Sequence, residues 1–592
     1  MKLSDYVFRY LGQKGVRDVF MLSGGGCMHL VDSLGRSGIN YVCCLHEQAA
    51  GIAAVAYSQY TNGLGVSLVT TGPGGTNAVT AVAGAWTDSV PLLVLSGQVK
   101  RNDLSSKAGT RTLGFQEIDI VSVVSPITKY AVTVEDPAEI RYHLDKAVYE
   151  ATHGRPGPVW IDIPLDVQAG VIDEKDLKGF SADVADNDIS EEVEGAIGLL
   201  EKSERPAILA GHGIRLSGAY DDFMELARGL GIPVLTTWKA ADFMSDDDPL
   251  YFGRPGASGQ RGANLIIQNC DLLISIGARM DFGQIGYEHK SFARCAKKVV
   301  VDADADELRK FDFDIDVAVC ADAKRFIGAM LDHKVRIKDI KQWKERCRRW
   351  NDKYPTIREE YFRVHDGIST YALTELLSMN MTSDFVLSPS SSGAAAEIPM
   401  QSVRVRNNIR IVNSPGLGSM GFCVPTALGL AVASGKKVVC ITGDGGFQMN
   451  IQELETIRRL NLPIIFFVLN NGGYGSIMNT QRNHFNGNLV GSNPESGVTL
   501  PGLKEISEAY SFKFRRFADI SELEKDIGPL MRSDRPTLCE IIVSKSEATQ
   551  PRTASRIDKD GMMRSQPLEN MWPFLSEEEL ESEMIIPLLR RS

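Results

Sequence analysis

The chain has 592 residues, more than the ~250–300 residues at which a single hydrophobic core stops growing, so several domains are expected. Hydrophobic residues make up 43% of it and charged residues 23%, a composition that excludes a disordered, collagen-like or low-complexity chain. The net charge of −11, without a basic block, argues against nucleic acid or an anionic membrane surface as a partner.

The cysteines and the apolar runs predict the cellular compartment. Ten cysteines include no CxxC pair, which is typical of a reduced, cytoplasmic protein. The first residues, MKLSDYVFRYLG, form no apolar signal segment, and no apolar run approaches the ~18–20 residues of a membrane span. We therefore expect a cytoplasmic protein with no membrane partner. Nine histidines without ligand spacing do not support a zinc site.

In the first third of the chain, short β-rich runs alternate with helical patterns, and several of the runs end in glycine turns. This alternation is typical of βαβ units around a parallel sheet. The predicted strands are residues 17–22, 39–44, 66–70, 91–96 and 158–164, of which the last is expected to close the domain.

Two further α/β patterns follow a polar, acidic segment at 169–192, which predicts a linker. A charged stretch at 334–358 separates the second pattern from the third. The predicted strands are residues 206–210, 233–235, 272–276 and 299–301 in the second pattern, and 384–387, 409–413, 438–442 and 464–469 in the third.

The fold class expected from these patterns is α/β, with three doubly wound parallel-sheet domains. The predicted domains are residues 1–170, 190–345 and 365–550. Residues 551–592 form a tail with apolar segments, which we expect to pack on the fold.

Gly416 to Gly421 match the pattern GxGxxG between a strand and a helix. A dinucleotide site of this kind needs an acidic residue ~20 positions further on, at the end of the next strand. Asp444 is 23 residues beyond Gly421 but lies in a glycine turn of its own. The pattern therefore does not favour a dinucleotide site here.

The segment 438–475 is the most informative part of the chain. Asp444 closes one predicted strand and Asn471 follows the next, with one helix predicted between them. The carboxyl ends of adjacent parallel strands meet at one edge of a sheet, where Asp444, Asn471 and backbone carbonyls near Gly473 would offer the oxygen ligands that Mg²⁺ prefers. Gly445 and Gly446 leave backbone N–H groups at a helix start, where anions bind. The sequence predicts a site for Mg²⁺ and a diphosphate; the alternative is a tight turn followed by an Asn-Gly turn.

Gly443-Asp444-Gly445, with Asn471 27 residues after the aspartate, resembles the signature of thiamin diphosphate enzymes. The resemblance implies thiamin diphosphate-binding folds in the first and third domains and a Rossmann-like domain between them. It also implies active sites shared by two subunits of a homodimer or homotetramer. Further segments follow the order found in acetolactate synthase catalytic subunits: HEQA at 46–49, GPGGTN at 72–77, FQE at 115–117, GRPGP at 154–158 and GSMG at 418–421.

The resemblance makes Glu47 the first candidate catalytic residue. Its carboxylate would hydrogen-bond the aminopyrimidine of the cofactor and favour the tautomer that removes the thiazolium proton, an interaction that is strong in a dry site. The alternative is that Glu47 only complements the N-terminus of its alanine-rich helix, which contributes about 0.3–1 kcal/mol. Phe115 and Gln116 match residues that face the substrate in the resembling enzymes.

The other residues that the resemblance implies bind the cofactor or its metal ion. Asp444, Asn471 and Gly473 would hold Mg²⁺. Met420 would hold the cofactor in a bent form; the alternative is a methionine that only packs in the core. Ser390, Ser391 and Ser392 would contact the diphosphate; the alternative is a solvated serine loop. The cofactor-binding set is Gly24, Gly25, Gly74, Asn77, Ser390, Ser391, Ser392, Gly418, Met420, Gly443, Gly445, Gly446 and Tyr474.

The central domain carries segments that look like the flavin-contacting segments of acetolactate synthases. Arg279 and Asp302 stand at matching places, and FAD is therefore a candidate cofactor, one that has no net redox role in that family. Other relatives keep the domain and bind no flavin, or bind a nucleotide instead. The segments are residues 211–213, 253–262, 277–279 and 302–304.

Two departures from the acetolactate synthase pattern bear on the acceptor substrate. Gly283 replaces an arginine that binds the acceptor carboxylate in the family, and losing such a partner typically costs a few kcal/mol. Ser476 and Thr480 stand where the family has a methionine and a tryptophan. Both changes favour an acceptor that is larger than pyruvate and uncharged.

The sequence thus predicts a thiamin diphosphate-dependent carboligase. It would decarboxylate a 2-oxo acid such as pyruvate and transfer the two-carbon unit to an acceptor carbonyl, for which a ketosugar nucleotide is the hypothesis. The alternatives are an acetolactate synthase that condenses two pyruvates, and a decarboxylase or acyl-CoA lyase that releases an aldehyde. A non-catalytic scaffold protein would be expected to have lost Glu47, Asp444 or Asn471, and all three are present.

Overall fold

The computed structural model describes residues 1–182, 187–544, 547–557 and 562–589. It confirms the predicted fold class, because each of three α/β domains is built on a parallel sheet. Residues 183–186 of the predicted linker, residues 545–546 of the predicted third domain, and residues 558–561 and 590–592 of the predicted tail lie outside the described residues.

The first domain has a six-stranded parallel sheet in the order β2-β1-β3-β4-β6-β5. Its strands are β1 (Asp18–Met21), β2 (Asn40–Cys43), β3 (Gly65–Val69), β4 (Leu92–Gln98), β5 (Tyr130–Thr133) and β6 (Pro158–Pro164). Its helices are α1 (Leu3–Gln13), α2 (Met28–Arg36), α3 (Glu47–Thr61), α4 (Pro73–Asp88), α5 (Ser105–Ala108), α6 (Ile120–Val124), α7 (Ile140–Thr152) and α8 (Leu165–Gln168). β6 closes the domain in sequence but not in space, because β5 pairs with its outer edge. The sequence analysis missed β5, which is short and only half-buried.

The middle domain has a five-stranded parallel sheet in the order β11-β10-β9-β7-β8. Its strands are β7 (Pro206–Ala210), β8 (Val234–Thr236), β9 (Leu272–Ile276), β10 (Lys297–Asp302) and β11 (Val317–Cys320). Its helices are α9 (Ser190–Lys202), α10 (Gly213–Leu216), α11 (Tyr220–Leu230), α12 (Arg261–Asn269), α13 (Phe282–Ile285), α14 (Ala305–Arg309), α15 (Ala323–Leu331) and α16 (Lys341–Lys353). The charged stretch 334–358 was predicted only to separate the second domain from the third. It contains α16, which buries Trp343, Cys347 and Trp350 on one face.

The third domain has a six-stranded parallel sheet in the order β13-β12-β14-β15-β17-β16. Its strands are β12 (Phe385–Pro389), β13 (Arg410–Ile411), β14 (Lys437–Gly443), β15 (Ile464–Asn470), β16 (Lys513–Phe517) and β17 (Thr537–Ile542). Its helices are α17 (Thr370–Asn380), α18 (Ala394–Ser402), α19 (Cys423–Ser434), α20 (Asp444–Gln448), α21 (Glu453–Arg459), α22 (Gly475–His484), α23 (Leu503–Ala509) and α24 (Ile520–Met531). Two predictions are corrected. β13 has two residues rather than five, and two helices, α20 and α21, rather than one connect β14 to β15.

The tail that follows the third domain returns to the middle domain. It contains a hairpin of β18 (Ser555–Ile557) and β19 (Met563–Ser565) and the helix α25 (Glu577–Glu583). Leu568 and Met571 are buried. Glu569 is buried too and pairs with Arg294 at 2.8 Å.

The first and third domains share one hydrophobic core. Its members include Ala53 and Val55 of α3 and Val424 and Leu428 of α19, and these two helices form the main contact between the domains. α3 is alanine-rich and buried along most of its length, which explains why it shows little apolar periodicity. Along the described residues, no helix combines the length and apolar character needed to span a membrane.

Candidate active site

Glu47 is the first residue of α3 and lies at the carboxyl end of β2. Glu47 is 7% exposed, and Asn77 Nδ2 of α4 donates a 3.0 Å hydrogen bond to Glu47 Oε2. The other oxygen, Oε1, faces Gly74, where an added Cβ would lie 3.7 Å away. The Asn77 amide thus holds Oε2 of Glu47, while Oε1 lies on the side of Gly74, which has no side chain to cover it.

The glycine turns after β1 and β3 are packed against each other beside Glu47. A Cβ on Gly24 would lie 2.5 Å from Cβ of Thr70, so only glycine allows this approach. Thr70 Oγ1 accepts a 3.0 Å hydrogen bond from the Gly26 N–H. Gln116 lies next to Gly72 through its backbone carbonyl. The structure therefore brings Gly24, Gly74, Asn77 and Gln116 to the same end of the first sheet as Glu47.

Asp444 occupies the edge of the third sheet where β14 and β15 end side by side, with Gly443 opposite Leu469. Its Oδ2 accepts hydrogen bonds from the N–H groups of Gly472 (3.0 Å) and Gly473 (3.1 Å), and its Oδ1 accepts one from Gly445 (2.8 Å). Burial raises the pKa of Asp444 to about 6, and these N–H groups offset part of the increase. A bound cation would favour the charged carboxylate.

Asn471 supplies the second polar group of this edge. Among the described residues, none donates a hydrogen bond to the buried Oδ1 of Asn471. A buried amide oxygen without a partner costs about 1–3 kcal/mol, which a metal ion would remove. Together with Asp444, this oxygen fits Mg²⁺, which is commonly bound by one or two protein carboxylates and completes its shell with phosphate and water. The described residues contain no group of three or more His, Cys, Asp or Glu side chains that could hold a metal ion. A magnesium site made of one carboxylate, one amide oxygen and phosphate oxygens does not need such a group.

Several of the remaining predicted cofactor residues surround this edge. Gly445 lies beneath the ring of Tyr474, whose Cε1 would be 2.5 Å from an added Cβ. Gly443 precedes α20, and Gly446 lies within it. Gly418 approaches the carbonyl of Ser391, to which an added Cβ would be 4.0 Å. Met420 is 38% exposed on the loop before α19, so the core alternative for it is wrong.

The serine loop after β12 borders a cavity of about 780 Å³ that all three domains line, a volume within the range of small-molecule sites. Arg279 and Asp302 line it, as do Ser391 and Ser392, but Ser390 does not. Arg279 donates to the carbonyl of Thr87 and to Asp281. Burial raises the pKa of Asp302.

Asp88 joins the three domains at the wall of this cavity. It is 5% exposed, accepts a 3.1 Å hydrogen bond from the Gly416 N–H and pairs with Lys239 at 3.4 Å. Burial lowers the pKa of Lys239, while Asp88 opposes that shift. The sequence analysis missed Asp88 and Lys239, because no short motif connects residues this far apart in the chain.

Two predicted residues stand apart from these clusters. Phe115 is 85% exposed, and no atom of the described part of the chain lies within 4 Å of a Cβ added to Gly25. Although Phe115 directly precedes Gln116 in the chain, its ring points into solvent and does not pack against the cluster around Glu47. Two residues of the third domain were not predicted from sequence: Glu453, which accepts from the Leu45 N–H in the turn before α3, and Asn450, which contacts Gln48 in the first turn of α3.

Comparison with known proteins agrees with this geometry. Residues 1–123 match the family described as "Thiamine pyrophosphate enzyme, N-terminal TPP binding domain", 193–330 match its central domain, and 392–541 match its C-terminal TPP binding domain. Thiamine pyrophosphate is thiamin diphosphate under another name. The chain belongs to the thiamine pyrophosphate enzymes.

Relatives narrow the family further. The chain is 32% identical over 571 residues to a "Probable acetolactate synthase large subunit" of Methanocaldococcus jannaschii, covering 93% of each chain. It is 30% identical over 558 residues to "Acetolactate synthase isozyme 2 large subunit" of Escherichia coli K12, covering 93% of this chain and 97% of that protein. These findings confirm a thiamin diphosphate-dependent enzyme of the acetolactate synthase type.

Proposed function

We propose that the protein is a carboligase that decarboxylates a 2-oxo acid, most simply pyruvate, and transfers the two-carbon unit to an acceptor carbonyl. The observation that carries this proposal is the joint presence of Glu47, held by Asn77, and of the Asp444–Asn471 pair in a chain of this family. A protein without catalytic activity would not need all of these groups.

Each group has a role at a stated atom. Bound thiamin diphosphate supplies a nucleophilic carbon and an electron sink for decarboxylation. Oε1 of Glu47, on the side left open by Gly74, would bind the protonated pyrimidine nitrogen, while Asn77 holds Oε2 in place. In a site that is shielded from water, such a hydrogen bond to a carboxylate is strong.

Magnesium would bind to Asp444, Asn471 and the backbone carbonyl of Gly473. The unpartnered amide oxygen of Asn471 and the carboxylate of Asp444 supply hard oxygen ligands, and the diphosphate would supply others. Removal of the metal ion with a chelator should abolish activity, and Mg²⁺ should restore it.

The cavity of about 780 Å³ is the proposed FAD site. Asp302 is the last residue of β10, at the position where a carboxylate can bind a ribose hydroxyl. Phe282 and Tyr287, with ring centroids 4.0 Å apart, add aromatic surface to its lining. An absorbance spectrum of the purified protein tests this proposal, since bound flavin absorbs visible light and a nucleotide without flavin does not.

The proposed acceptor is larger than pyruvate and has no carboxylate at the position that Gly283 faces. Gly283 lines the cavity, and its carbonyl accepts a 2.8 Å hydrogen bond from the Ala257 N–H, so this wall offers backbone where the resembling enzymes carry a guanidinium group. Ser476 is exposed and lies beside Gly393 of the serine loop. A ketosugar nucleotide, whose reacting carbonyl carries no carboxylate, fits these changes.

The second candidate function is acetolactate synthesis from two pyruvates, which the names of the relatives favour. Mass-spectrometric screening separates the candidates: the protein is incubated with pyruvate alone and with pyruvate plus ketosugar nucleotides or other carbonyl compounds. Acetolactate from pyruvate alone at ordinary rates, with no product from any ketosugar, would refute the proposed acceptor. Release of free acetaldehyde alone would indicate a simple 2-oxo acid decarboxylase.

A homodimer, or a homotetramer built from it, is the proposed assembly, with each active site between two subunits. Phe115 and several α22 side chains are exposed in the single chain, and α22 buries only Met478. Analytical ultracentrifugation tests this assembly, and a monomer that is fully active would contradict it.

A further inference from the structure

The turn that carries Glu47 is held by side chains of the third domain. Glu453 Oε1 accepts a 2.8 Å hydrogen bond from the Leu45 N–H, and Asn450 Nδ2 donates a 2.8 Å bond to Gln48 Oε1. Arg459 donates a 2.6 Å bond to the carbonyl of Cys43. One short segment, residues 450–459, therefore contacts the chain on both sides of Glu47.

Glu453 is the buried member of this segment. It is 0% exposed, and Thr456 Oγ1 donates a 2.7 Å hydrogen bond to its second oxygen. Burial raises the pKa of Glu453, and the Thr456 hydroxyl and the backbone N–H groups of Leu45 and His46 oppose that rise. A buried carboxylate is costly, and an apolar side chain of similar size would often be at least as stabilising. Stability alone therefore does not account for a glutamate here.

The partners of Glu453 show what it controls. Leu45 and His46 are the two residues directly before Glu47, and His46 is the N-cap of α3, where its Nδ1 accepts from the Gln48 N–H at 3.1 Å. Holding the Leu45 N–H fixes the backbone just before the helix. Because Glu47 is the next residue, its Cα position and the direction of its side chain follow.

We propose that Glu453 is a positioning residue for Glu47: by binding the backbone before α3, it sets where the Glu47 carboxylate meets the cofactor. This inference rests on the role proposed for Glu47. The segment from Asp444 to Arg459 therefore carries both Asp444 of the diphosphate site and the side chains that orient Glu47, the carboxylate proposed to bind the pyrimidine.

The test measures the reactivity and binding of the cofactor separately from the rigidity of the turn, in the full-length protein with Mg²⁺. The exchange rate of the C2 proton of bound thiamin diphosphate, followed by quenched-flow NMR, reports on Glu47, and titration gives the Kd of the cofactor. Amide hydrogen exchange of residues 40–50 reports on the turn. We expect Glu453→Ala to slow C2 proton exchange about 10- to 100-fold while changing the cofactor Kd less than about 3-fold, with faster amide exchange of the turn.

Two further variants keep the test decisive if the alanine variant does not fold. Glu453→Gln can still accept from Leu45, so we expect C2 exchange within about 3-fold of the wild type. Glu453→Asp keeps the charge but loses reach, and it should be slow. Glu455→Ala is the matched control, because Glu455 lies on the same helix with its side chain 38% exposed and paired only with Arg458 among described residues.

The outcomes separate the two proposals. Equal, wild-type exchange rates in the Asp and Gln variants would overturn the positioning role, as would a loss of exchange that only parallels a loss of cofactor binding. If Glu47→Gln exchanges the C2 proton at the wild-type rate, the role of Glu47 itself fails, and the proposed function with it. If Glu47→Gln is inactive and Glu453→Asp is unaffected, only the positioning role fails.

Discussion

At the scale of single residues, the hydrogen bond between Asn77 and Glu47 is the contact most directly tied to the proposed chemistry. Asn77 donates from a neutral amide 3.0 Å from a carboxylate oxygen and so adds no charge of its own to the site. It also removes the rotational freedom of a side chain that must meet a fixed ring. The identity of residue 77 should therefore affect the rate more than it affects folding.

We expect Asn77→Ala to lower kcat/KM about 10- to 100-fold, because Glu47 loses its only side-chain donor among the described residues. Asn77→Asp should be worse and should move the acid limb of the pH–rate profile to higher pH, since two adjacent carboxylates resist ionisation together. Thr76→Ala is the control, because Thr76 is exposed and its hydroxyl donates, among the residues that the structure describes, only to the local Pro73 carbonyl. Wild-type kinetics in both Asn77 variants would contradict this role.

A second prediction at this scale concerns the metal ion. Asn471→Ala removes the unpartnered amide oxygen and should raise the Mg²⁺ concentration for half-maximal activity about 10- to 100-fold. The same change at the exposed Asn479 of α22 should leave the Mg²⁺ requirement unchanged. Titration of metal-free protein with Mg²⁺ measures both, and an unaltered requirement in the Asn471 variant would exclude it as a ligand.

The sequence predicted these residues well where a motif brings them together along the chain. Asp444, Gly445 and Asn471 belong to one βαβ unit, so the meeting of their strand ends follows from the topology of a parallel sheet. Glu453 and Asn450 were missed, because their contacts with residues 45 and 48 cross about 400 positions. Spacing within a motif carries no information about such distant partners.

At the scale of elements, the close approach of α3 and α19 decides how the outer domains dock. A Cβ on Gly429 would lie 2.2 Å from the Ala53 carbonyl oxygen, so the two helices touch through backbone. We expect Gly429→Ala to destabilise the protein by about 1–3 kcal/mol, because the helices must separate.

Gly328 of α15 provides the opposite case. No atom of the residues described lies within 4 Å of an added Cβ there, so Gly328→Ala should stabilise the protein by about 0.5–1 kcal/mol through helix propensity. Thermal unfolding of the two variants side by side tests the prediction. A neutral Gly429 variant would contradict the argument from backbone packing between α3 and α19, and a destabilised Gly328 variant would contradict the argument from helix propensity.

Several elements with strong apolar runs were predicted correctly and several weak ones were not, but the buried β17 was also missed. β14 and β15 are buried along almost their whole length and were found. β5 and β16 are half-buried or exposed edge strands, and their polar residues hide the pattern. α16 was missed for the related reason that its mean composition is charged, although its buried residues recur at helical spacing.

At the scale of the whole molecule, Asp242 joins the middle domain to the third. It is buried and accepts hydrogen bonds from Arg215 at 2.7 Å, Arg410 at 2.8 Å and the Ile411 N–H at 3.1 Å. Burial alone would raise the pKa of Asp242, but the two guanidinium groups outweigh it and lower the pKa below its ordinary value. Its ionised form therefore stabilises the docked domains.

We expect Asp242→Ala to cost about 3 kcal/mol, since it leaves two cations unpaired at a buried junction. Because the folded pKa is lowered, this contribution is present above the ordinary carboxyl pKa near 4 and is lost as the pH falls through the folded value. The difference in thermal midpoint between wild type and variant should be constant from about pH 5 to 8 and shrink below about pH 4. A difference that grows on acidification would contradict the sign. Exposed Asp306 is the control position.

The return of the tail to the middle domain has a consequence for synthesis on the ribosome. Glu569 pairs with Arg294, Gln268 donates to it at 2.5 Å, and Asn269 accepts from the Ile585 N–H at 2.6 Å. These surfaces of the middle domain are made about 300 residues before their partners, which at about 5–20 residues per second means a wait of at least 15 seconds. During that interval the nascent middle domain exposes Arg294 and a neighbouring apolar face, so chaperones have a defined window in which to protect this protein.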